Sequence, residues 1–334
     1  MRAWELQSDR GVDGLGLADR DDGEPGPGEV AVAMAANSIN YRDLSTIENA
    51  GARGIQYPLV PNSDGAGEVT AVGAGVTSVQ PGDRVASCFF ADWTAGAISA
   101  AAMGTALGGA LDGVLAERVI LKETGVIPIP DHLSYAEAST LPCAGLTAWN
   151  CLVEQGGMGA GSTVLLLGTG GVSIFGLQFA AMTGARTIIT SSSDEKLARA
   201  KDLGASETIN YRDNPDWERE VLDLTNGLGV DVTLEVGGGG TLAKSITATK
   251  AGGTVSLVGV LAGGTIDPTL VMRKSIRLQG VYVGSREMFA SMNAAITAND
   301  MHPIIDQTFA FDDAPAAYHA MRAAGHFGKL VIDI

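Results

Sequence analysis

The residues with the clearest chemical meaning form a glycine-rich turn near the middle of the chain. The apolar run Thr163–Leu167, interpreted as a strand buried on both faces, leads into Gly168-Thr169-Gly170-Gly171-Val172-Ser173. A helix is predicted directly afterwards, over residues 172–183. A strand, a glycine turn and a helix in this order form the context that dinucleotide binding requires.

Each small residue of this turn has a physical task. Gly168 permits the tight turn, and Gly170 lets the backbone approach a pyrophosphate. The N-terminus of the predicted helix, beside Gly171 and Val172, offers free N–H groups and a positive dipole to the phosphates. The third small position is Ser173 instead of glycine, and serine is still small enough for close helix–strand packing. An ordinary glycine-rich turn is the alternative interpretation.

The end of the next predicted strand, residues 186–190, indicates which dinucleotide is bound. A carboxylate usually accepts hydrogen bonds from the ribose 2′-OH of NAD at this place. Here the strand runs into Thr190-Ser191-Ser192-Ser193, with Lys196 nearby. Hydroxyls and an ammonium suit a 2′-phosphate, so the pattern favours NADP(H) over NAD(H). The alternative is that the serines only cap the next helix, predicted over residues 194–203.

The elements that must position these residues fall into two domains. Further strands are predicted at residues 231–236, 254–260 and 278–283, and strands that alternate with helices form a parallel sheet. Residues 1–125 instead show short strands separated by turn residues, which is typical of a barrel-like β domain. Because the tail returns to mixed helix and strand, we predict one domain from residues 1–125 and 285–334, with a nucleotide domain, 126–284, inserted.

Composition excludes several classes of protein. The net charge of −16 over 334 residues argues against nucleic acid and anionic membranes as partners. Three cysteines cannot form a disulfide framework, and the chain shows no signal peptide, so we expect a cytoplasmic protein. Residues 93–111 carry no charge but are mostly small, which predicts a loop plus helix and no membrane span. Whether this segment covers an apolar substrate or contacts a second subunit stays open.

The chain also resembles a known superfamily, the medium-chain dehydrogenases/reductases, in the zinc-independent branch near quinone oxidoreductases and zinc-free alcohol dehydrogenase-like proteins. The matching segments, in chain order, are Asn40-Tyr41-Arg42-Asp43-Leu44, Pro61-Asn62-Ser63-Asp64-Gly65-Ala66-Gly67-Glu68-Val69, Val79-Gln80-Pro81-Gly82-Asp83-Arg84-Val85, Leu141-Pro142-Cys143-Ala144-Gly145-Leu146-Thr147-Ala148-Trp149, the glycine turn, and His326-Phe327-Gly328-Lys329-Leu330-Val331-Ile332. The resemblance implies an α/β fold, with a GroES-like β-barrel domain around an inserted Rossmann doubly wound parallel sheet. It also implies a homodimer.

The resemblance predicts that zinc is absent. The positions that match the catalytic zinc ligands of metal-dependent members are Asn40, Ser63-Asp64 and Cys143, and only the cysteine is a usual ligand. The region of the four-cysteine structural zinc lobe, near residues 88–113, holds only Cys88. We therefore expect no metal.

Without a metal, protein donors must stabilise the charge that develops on the substrate oxygen. The matching segments nominate Tyr41 as the hydrogen-bond or proton donor, Asn40 as an amide donor and Asp64 as an orienting group. The alternative is that Tyr41 and Asp43 only shape a turn.

The resemblance nominates further residues that contact the cofactor. Thr147 is expected near the nicotinamide, and Ser191, Lys196 and Tyr211 match the positions that hold the 2′-phosphate in NADPH-using relatives. The remaining candidates lie at strand ends or close over the cofactor: Ser193, Val236, Val258, Val260, Val283, Gly284 and Lys329. Their alternatives are strand-end turns and, for Lys329, a solvated surface charge.

The favoured function is a zinc-free, NADP(H)-dependent oxidoreductase that transfers hydride between the nicotinamide and a small apolar carbonyl or alcohol. One alternative is an NADPH-dependent quinone or enone reductase, which saturates a conjugated C=C bond. The other is an NADPH-binding protein with little turnover.

Overall fold

A computed structural model of the chain describes residues 1–259 and 261–334, which form two compact units. The first unit comprises Met1–Leu146 and Val283–Ile334, and the second comprises Thr147–Tyr282. The first division therefore falls about 20 residues later than the predicted boundary between residues 125 and 126. The reason is that the strand Val126–Pro128 pairs with Arg84–Ser87 in the first unit's sheet.

The first unit is built mainly from antiparallel strands that come from both ends of the chain. Its strands are β1 (Arg2–Leu6), β2 (Leu15–Asp19), β3 (Glu29–Ile39), β4 (Asp64–Val72), β5 (Arg84–Ser87), β6 (Arg118–Lys122), β7 (Val126–Pro128), β14 (Ile305–Ala310) and β15 (Lys329–Asp333). Seven of them form one sheet in the order β14-β15-β3-β4-β5-β7, with β6 also paired to β3, and β1 pairs with β2 separately. The C-terminal strand β15 pairs antiparallel with β3, which ties the tail to the N-terminal segment.

Helices and an apolar core complete the first unit. Its helices are α1 (Tyr41–Glu48), α2 (Ala100–Met103), α3 (Tyr135–Ala138), α10 (Arg286–Ala298) and α11 (Ala314–Ala323), and α4 (Leu146–Trp149) spans the division between the units. Leu6, Ile39, Leu115 and Leu330 are fully buried in one core cluster, to which helix α11 adds Tyr318. Burial of this apolar surface is the main stabilising contribution to the unit.

The second unit holds a six-stranded parallel sheet. Its strands are β8 (Thr163–Leu167), β9 (Arg186–Ser191), β10 (Glu207–Asn210), β11 (Val230–Glu235), β12 (Thr249–Leu257) and β13 (Arg277–Gly280). The strand order is β10-β9-β8-β11-β12-β13, and every pairing is parallel. If the six strands are numbered 1 to 6 along the chain, their order across the sheet is 3-2-1-4-5-6. This is the doubly wound arrangement of dinucleotide-binding domains. The predicted Rossmann sheet is confirmed.

The helices of this unit begin and end where local chemistry dictates. They are α5 (Gly171–Thr183), α6 (Asp194–Asp202), α7 (Trp217–Leu224), α8 (Leu242–Ala248) and α9 (Pro268–Arg273). Helix α5 ends at Gly184, whose φ of +73° closes the last turn in the left-handed conformation that glycine favours. In α6, Ser193 caps the N-terminus, with acidic residues in the first turn and basic residues in the last.

The uncharged segment at residues 93–111 contains the short helix α2, capped by Ser99, and is otherwise loop. This agrees with the predicted loop plus helix. Among the described residues, no helix has both the length and the apolar character needed to cross a bilayer. The aromatic residues Phe89, Phe90 and Trp93 just before and at the start of the segment are buried against one another in edge-to-face contacts.

Candidate functional site

The glycine turn between β8 and α5 has the geometry of a phosphate cradle. Gly168 adopts φ +73°, and a Cβ placed on Gly168 or Gly170 would meet open space. Helix α5 starts at Gly171 with Gly170 as its N-cap, and none of the described side chains caps its first N–H groups. Uncapped N–H groups at the start of a 13-residue helix, beside an open backbone turn, suit the phosphates of a dinucleotide.

The structure also explains the serine at the third small position. Ser173 is buried, and its hydroxyl donates to the backbone carbonyl of Leu167, at 2.6 Å. The hydroxyl is therefore satisfied by the last carbonyl of strand β8. Serine serves the close packing of α5 on β8 without leaving a buried polar atom unpaired.

Polar residues lie close to one another at the end of β9. Ser191 is buried, and its hydroxyl lies 3.5 Å from that of Thr169 in the glycine turn. The backbone N–H of Tyr211 donates to the Ser191 carbonyl at 3.0 Å, which places the half-exposed Tyr211 beside the same strand end. Ser193 accepts a hydrogen bond from the Lys196 backbone N–H, so the capping alternative holds for Ser193.

At the neighbouring strand end, Glu235 organises a loop of glycines. This fully buried carboxylate accepts hydrogen bonds from the backbone N–H groups of Gly237 and Gly238 and from the hydroxyls of Thr241 and Ser245. It therefore fixes the path of the chain directly after β11. Sequence reasoning treated Glu235 only as part of a strand end, because nothing in the pattern shows that its carboxylate turns back onto its own loop.

The candidates Val236 and Val258 lie at the ends of β11 and β12, both half-buried. The N–H groups of Val258 and Gly259 both donate to the Glu235 carbonyl, at 2.9 Å. A Cβ on Gly259 would lie 2.1 Å from the Val236 backbone, so this approach requires glycine. The candidate Val260 lies outside the described residues.

In the first unit, a buried polar cluster joins the predicted catalytic segment to the C-terminal strand. The Lys329 ammonium at the start of β15 donates to the carbonyl of Ile39 at 2.8 Å and to Oδ1 of Asn40 at 2.5 Å. Lys329 is only 3% exposed, so its interpretation as a solvated surface charge is wrong. Asn40 Nδ2 is buried and has no hydrogen-bond partner among the described residues.

Asp64 and Cys143 belong to the same cluster. Asp64 is fully buried; one oxygen accepts from the Ser63 hydroxyl at 2.6 Å, and the other accepts from the Cys143 backbone N–H at 3.0 Å. Desolvation raises the pKa of Asp64 to about 6, although the Lys329 charge opposes this rise. Burial likewise lowers the pKa of Lys329, and Asp64 opposes that change. Burial, and then the Asp64 charge, raise the pKa of the Cys143 thiol well above its ordinary value.

Tyr41 stands at the edge of this arrangement. It is the first residue of α1, its side chain is 43% exposed, and its hydroxyl bonds to none of the described residues. Asp43 has a structural role, since it accepts from the Asn40 backbone N–H at 2.8 Å and pairs with Arg42 at 3.1 Å. The structural alternative thus fits Asp43, whereas no contact among the described residues gives the Tyr41 hydroxyl a structural role.

The remaining candidates flank the division between the two units. Thr147 is buried in the short helix α4. Val283 is buried at φ +57°, a conformation that a β-branched residue rarely adopts and that costs strain. A Cβ on Gly284 would lie 2.8 Å from the Leu146 side chain, so glycine is needed for this packing.

Two family models match the chain, and together they cover much of both units. The description "Alcohol dehydrogenase GroES-like domain" fits residues 26–131, and "Zinc-binding dehydrogenase" fits residues 171–298. A zinc-type alcohol dehydrogenase-like protein of Schizosaccharomyces pombe is 42% identical over 316 residues, which cover 92% of this chain and 91% of that protein.

Solved structures give the same result. The structure of an NAD-dependent alcohol dehydrogenase superposes with a TM-score of 0.91 at 32% identity and covers 100% of both chains. The mycobacterial protein Rv1454c, solved in complex with NADPH, superposes with a TM-score of 0.83 at 26% identity, again over 100% of both chains.

The fold and the phosphate cradle define a nicotinamide dinucleotide-binding oxidoreductase with a GroES-like unit and a Rossmann unit. The chain belongs to the medium-chain dehydrogenase/reductase superfamily, among its alcohol dehydrogenase-like and quinone reductase-like members. The fold class expected from the resemblance is therefore confirmed.

Proposed function

We propose that this chain is a zinc-free, NADP(H)-dependent oxidoreductase that transfers hydride between the nicotinamide and a small apolar carbonyl or the corresponding alcohol. One observation carries the proposal. The ammonium of Lys329 donates to Oδ1 of Asn40, the residue that matches a zinc ligand in metal-dependent relatives. Among the described residues, the buried Asn40 Nδ2 has no partner at hydrogen-bond distance, although the amide is near enough to Asp64 to lower the pKa of that carboxyl. This hydrogen bond supports a metal-free site, because the residue that the resemblance matches to a zinc ligand is already bonded to a protein cation.

The donor set at this position does not fit zinc, although one matching family model carries zinc in its description. Asn40 is a poor ligand, and its oxygen already accepts from an ammonium. Both oxygens of Asp64 accept hydrogen bonds from the protein. Cys143 is then the one usual zinc ligand of the set, too few for a tetrahedral site.

NADP(H) fits the second unit through two features. The open, uncapped turn from Gly168 to Gly171 would hold the pyrophosphate. The end of β9 carries hydroxyls where a carboxylate would repel a 2′-phosphate, and Lys196 and Tyr211 follow close by. One structural relative is described as NAD-dependent and another was solved with NADPH, so the preference rests on this chain's own residues.

The nicotinamide supplies the hydride chemistry when it is bound. The protein must then stabilise negative charge on the substrate oxygen, which a preorganised hydrogen-bond donor does most effectively. Asn40 Nδ2 offers one donor, and Lys329 orients that amide by holding its oxygen. The Tyr41 hydroxyl offers the second donor and can deliver the proton that completes an alcohol. Asp64 balances the buried ammonium and keeps it in place.

Substrate turnover with product identification tests this function. NADPH oxidation should be seen with small apolar aldehydes or ketones, it should survive EDTA treatment, and conjugated enones should yield allylic alcohols. A saturated ketone from an enone would instead assign a quinone or enone reductase. Binding of NADPH without its oxidation by any aldehyde, ketone, quinone or enone would assign a binding protein with little turnover. Activity that chelation abolishes and zinc restores would refute the metal-free mechanism.

The proposal also covers the cellular compartment, the oligomeric state and the partners of the enzyme. We infer a cytoplasmic homodimer that binds neither nucleic acid nor membranes. The strongly acidic composition and the three unpaired cysteines, Cys88, Cys143 and Cys151, support this setting.

A further inference from the structure

A second group of chemically capable side chains lies in the first unit and shares no residue with the Asn40 cluster. His132, Asp300 and His302 each offer one ligand atom, and these three atoms lie within 4.8 Å of one another. His132 follows β7, and the other two residues follow the C-terminal end of α10. No sequence pattern links these histidines, because His132 and His302 are 170 residues apart in the chain.

Both imidazoles are held in the way that metal ligands usually are. Nδ1 of His302 donates to the Glu137 carboxylate at 2.6 Å, and Nε2 of His132 donates to the Met301 carbonyl at 3.2 Å. A carbonyl and a carboxylate can only accept, so these bonds fix which ring nitrogen carries the proton. In the neutral rings the in-plane lone pairs are then on Nε2 of His302 and Nδ1 of His132. A histidine whose second nitrogen is held by a carboxylate or carbonyl is the usual pattern around a bound metal.

The local charge also favours a cation. Asp300 contributes a carboxylate to the group, and Glu137 holds a second one directly behind His302. The C-terminal end of the 13-residue helix α10, at Ala298, adds its negative dipole end just before Asp300. Within the described residues this is the only group of three or more histidine, cysteine or acidic side chains close enough to share an ion.

To bind one ion, the three ligand atoms would have to move only slightly closer together. Ligands of one zinc ion at about 2.0–2.2 Å are separated by about 3.3 Å, somewhat less than the present span. Asp300 and His302 are exposed, so rotation of their side chains can provide the difference. Asp300 has φ +47°, in the left-handed region that aspartate and asparagine tolerate better than most residues.

We propose that His132, Asp300 and His302 form a non-catalytic binding site for a borderline divalent transition metal, represented by Zn²⁺, with water in the remaining position. Two imidazoles and one carboxylate are the donors that such ions prefer, whereas Mg²⁺ requires a shell of oxygen ligands. The ion would join residues 132 and 300–302, which are far apart in the chain, and would stabilise the first unit by mass action.

Calorimetric titration of the EDTA-stripped, dialysed full-length chain tests this site. Zn²⁺ should bind at about one ion per chain with micromolar affinity, and Mg²⁺ should give no binding. The double variant His132→Ala/His302→Ala should lose at least about tenfold in Zn²⁺ affinity, because two of the three ligands are gone. His319→Ala, which removes an exposed histidine elsewhere in the unit, should bind like the wild type.

A second variant distinguishes the loss of a metal ligand from damage to the fold. Asp300→Asn keeps the size and the tolerance of positive φ but removes the charge, and it should weaken Zn²⁺ binding with an unchanged melting temperature in EDTA. Cu²⁺ electron paramagnetic resonance should show imidazole nitrogen coupling that the double variant lacks. Absence of Zn²⁺ binding in the wild type, or equal affinity in the double variant, would overturn the site.

This test is separate from that of the proposed function. NADPH turnover by the double variant should match the wild type, with or without EDTA, because the site takes no part in the chemistry. Turnover that EDTA abolishes in both the wild type and the double variant would refute the zinc-free mechanism and leave this site unaffected.

Discussion

At the scale of single residues, the proposed chemistry depends on two neighbouring donors with different surroundings. Asn40 is buried and has its oxygen held by Lys329, whereas Tyr41 is half-exposed with a hydroxyl that bonds to no described residue. The fold thus orients the amide, whereas no contact among the described residues fixes the phenol hydroxyl. Such a pair fits a substrate oxygen that becomes negative during reduction.

Tyr41→Phe should therefore lower turnover of the preferred substrate by more than about tenfold, since proton donors contribute about 10²–10⁴-fold. NADPH binding should change little. Tyr57→Phe, at another exposed tyrosine of the same unit, is the matched control and should keep the wild-type rate. A near-normal rate for Tyr41→Phe would return Tyr41 to a structural role.

The raised pKa of Asp64 makes a prediction about stability. In the folded chain the pKa of the Asp64 carboxyl is about 6, compared with 3.8 for an ordinary aspartate. The protonated carboxyl therefore stabilises the fold fully below about pH 4, and this stabilisation is lost as the pH rises through 6. The free energy of unfolding of the wild type, minus that of Asp64→Asn, should fall by up to about 3 kcal/mol from pH 4 to pH 7.

Replacing Asp64 also removes the charge that raises the pKa of Lys329. This loss makes the wild-type-minus-variant difference in free energy of unfolding fall further as the pH rises. Denaturant unfolding at each pH measures it, with Asp202→Asn, an exposed carboxylate of the other unit, as the control. A difference that stays flat or rises with pH would show that the Asp64 carboxyl is not held in its protonated form by burial.

At the scale of elements, the end of β9 should determine the choice of cofactor. Ser191→Asp places a carboxylate at the strand end, and it should weaken NADPH binding far more than NADH binding through repulsion of the 2′-phosphate. Ser191→Asn, of similar size but neutral, separates charge from bulk and should affect both nucleotides alike. Equal losses for NADPH and NADH in the aspartate variant would remove the argument for NADP(H).

Sequence patterns predict best those strands whose two faces have the same surroundings. Strand β8 was predicted with its observed bounds, because a strand covered on both faces is a continuous apolar run. Strand β10, Glu207–Asn210, was not predicted, since it is a short edge strand with polar residues. Strand β13 ends at Gly280, earlier than predicted, because nothing in the apolar run Val281-Tyr282-Val283 shows where the ladder stops.

At the scale of the whole molecule, the hardest features to predict are contacts between distant parts of the chain. Lys329 and Asn40 are separated by 289 residues, and no local pattern shows that this lysine is buried. The histidines of the proposed metal site are likewise brought together only by the folded first unit. The resemblance placed Lys329 near the site, but its physical role needed the structure.

The central claim is that a nicotinamide dinucleotide is held through its phosphates by the turn between β8 and α5. Direct titration of the purified chain with NADPH and with NADH, followed by calorimetry, tests it most directly. We expect one NADPH per chain, bound at least about tenfold more tightly than NADH, in keeping with the hydroxyls at the end of β9. The absence of affinity for either nucleotide, reduced or oxidised, would contradict the account.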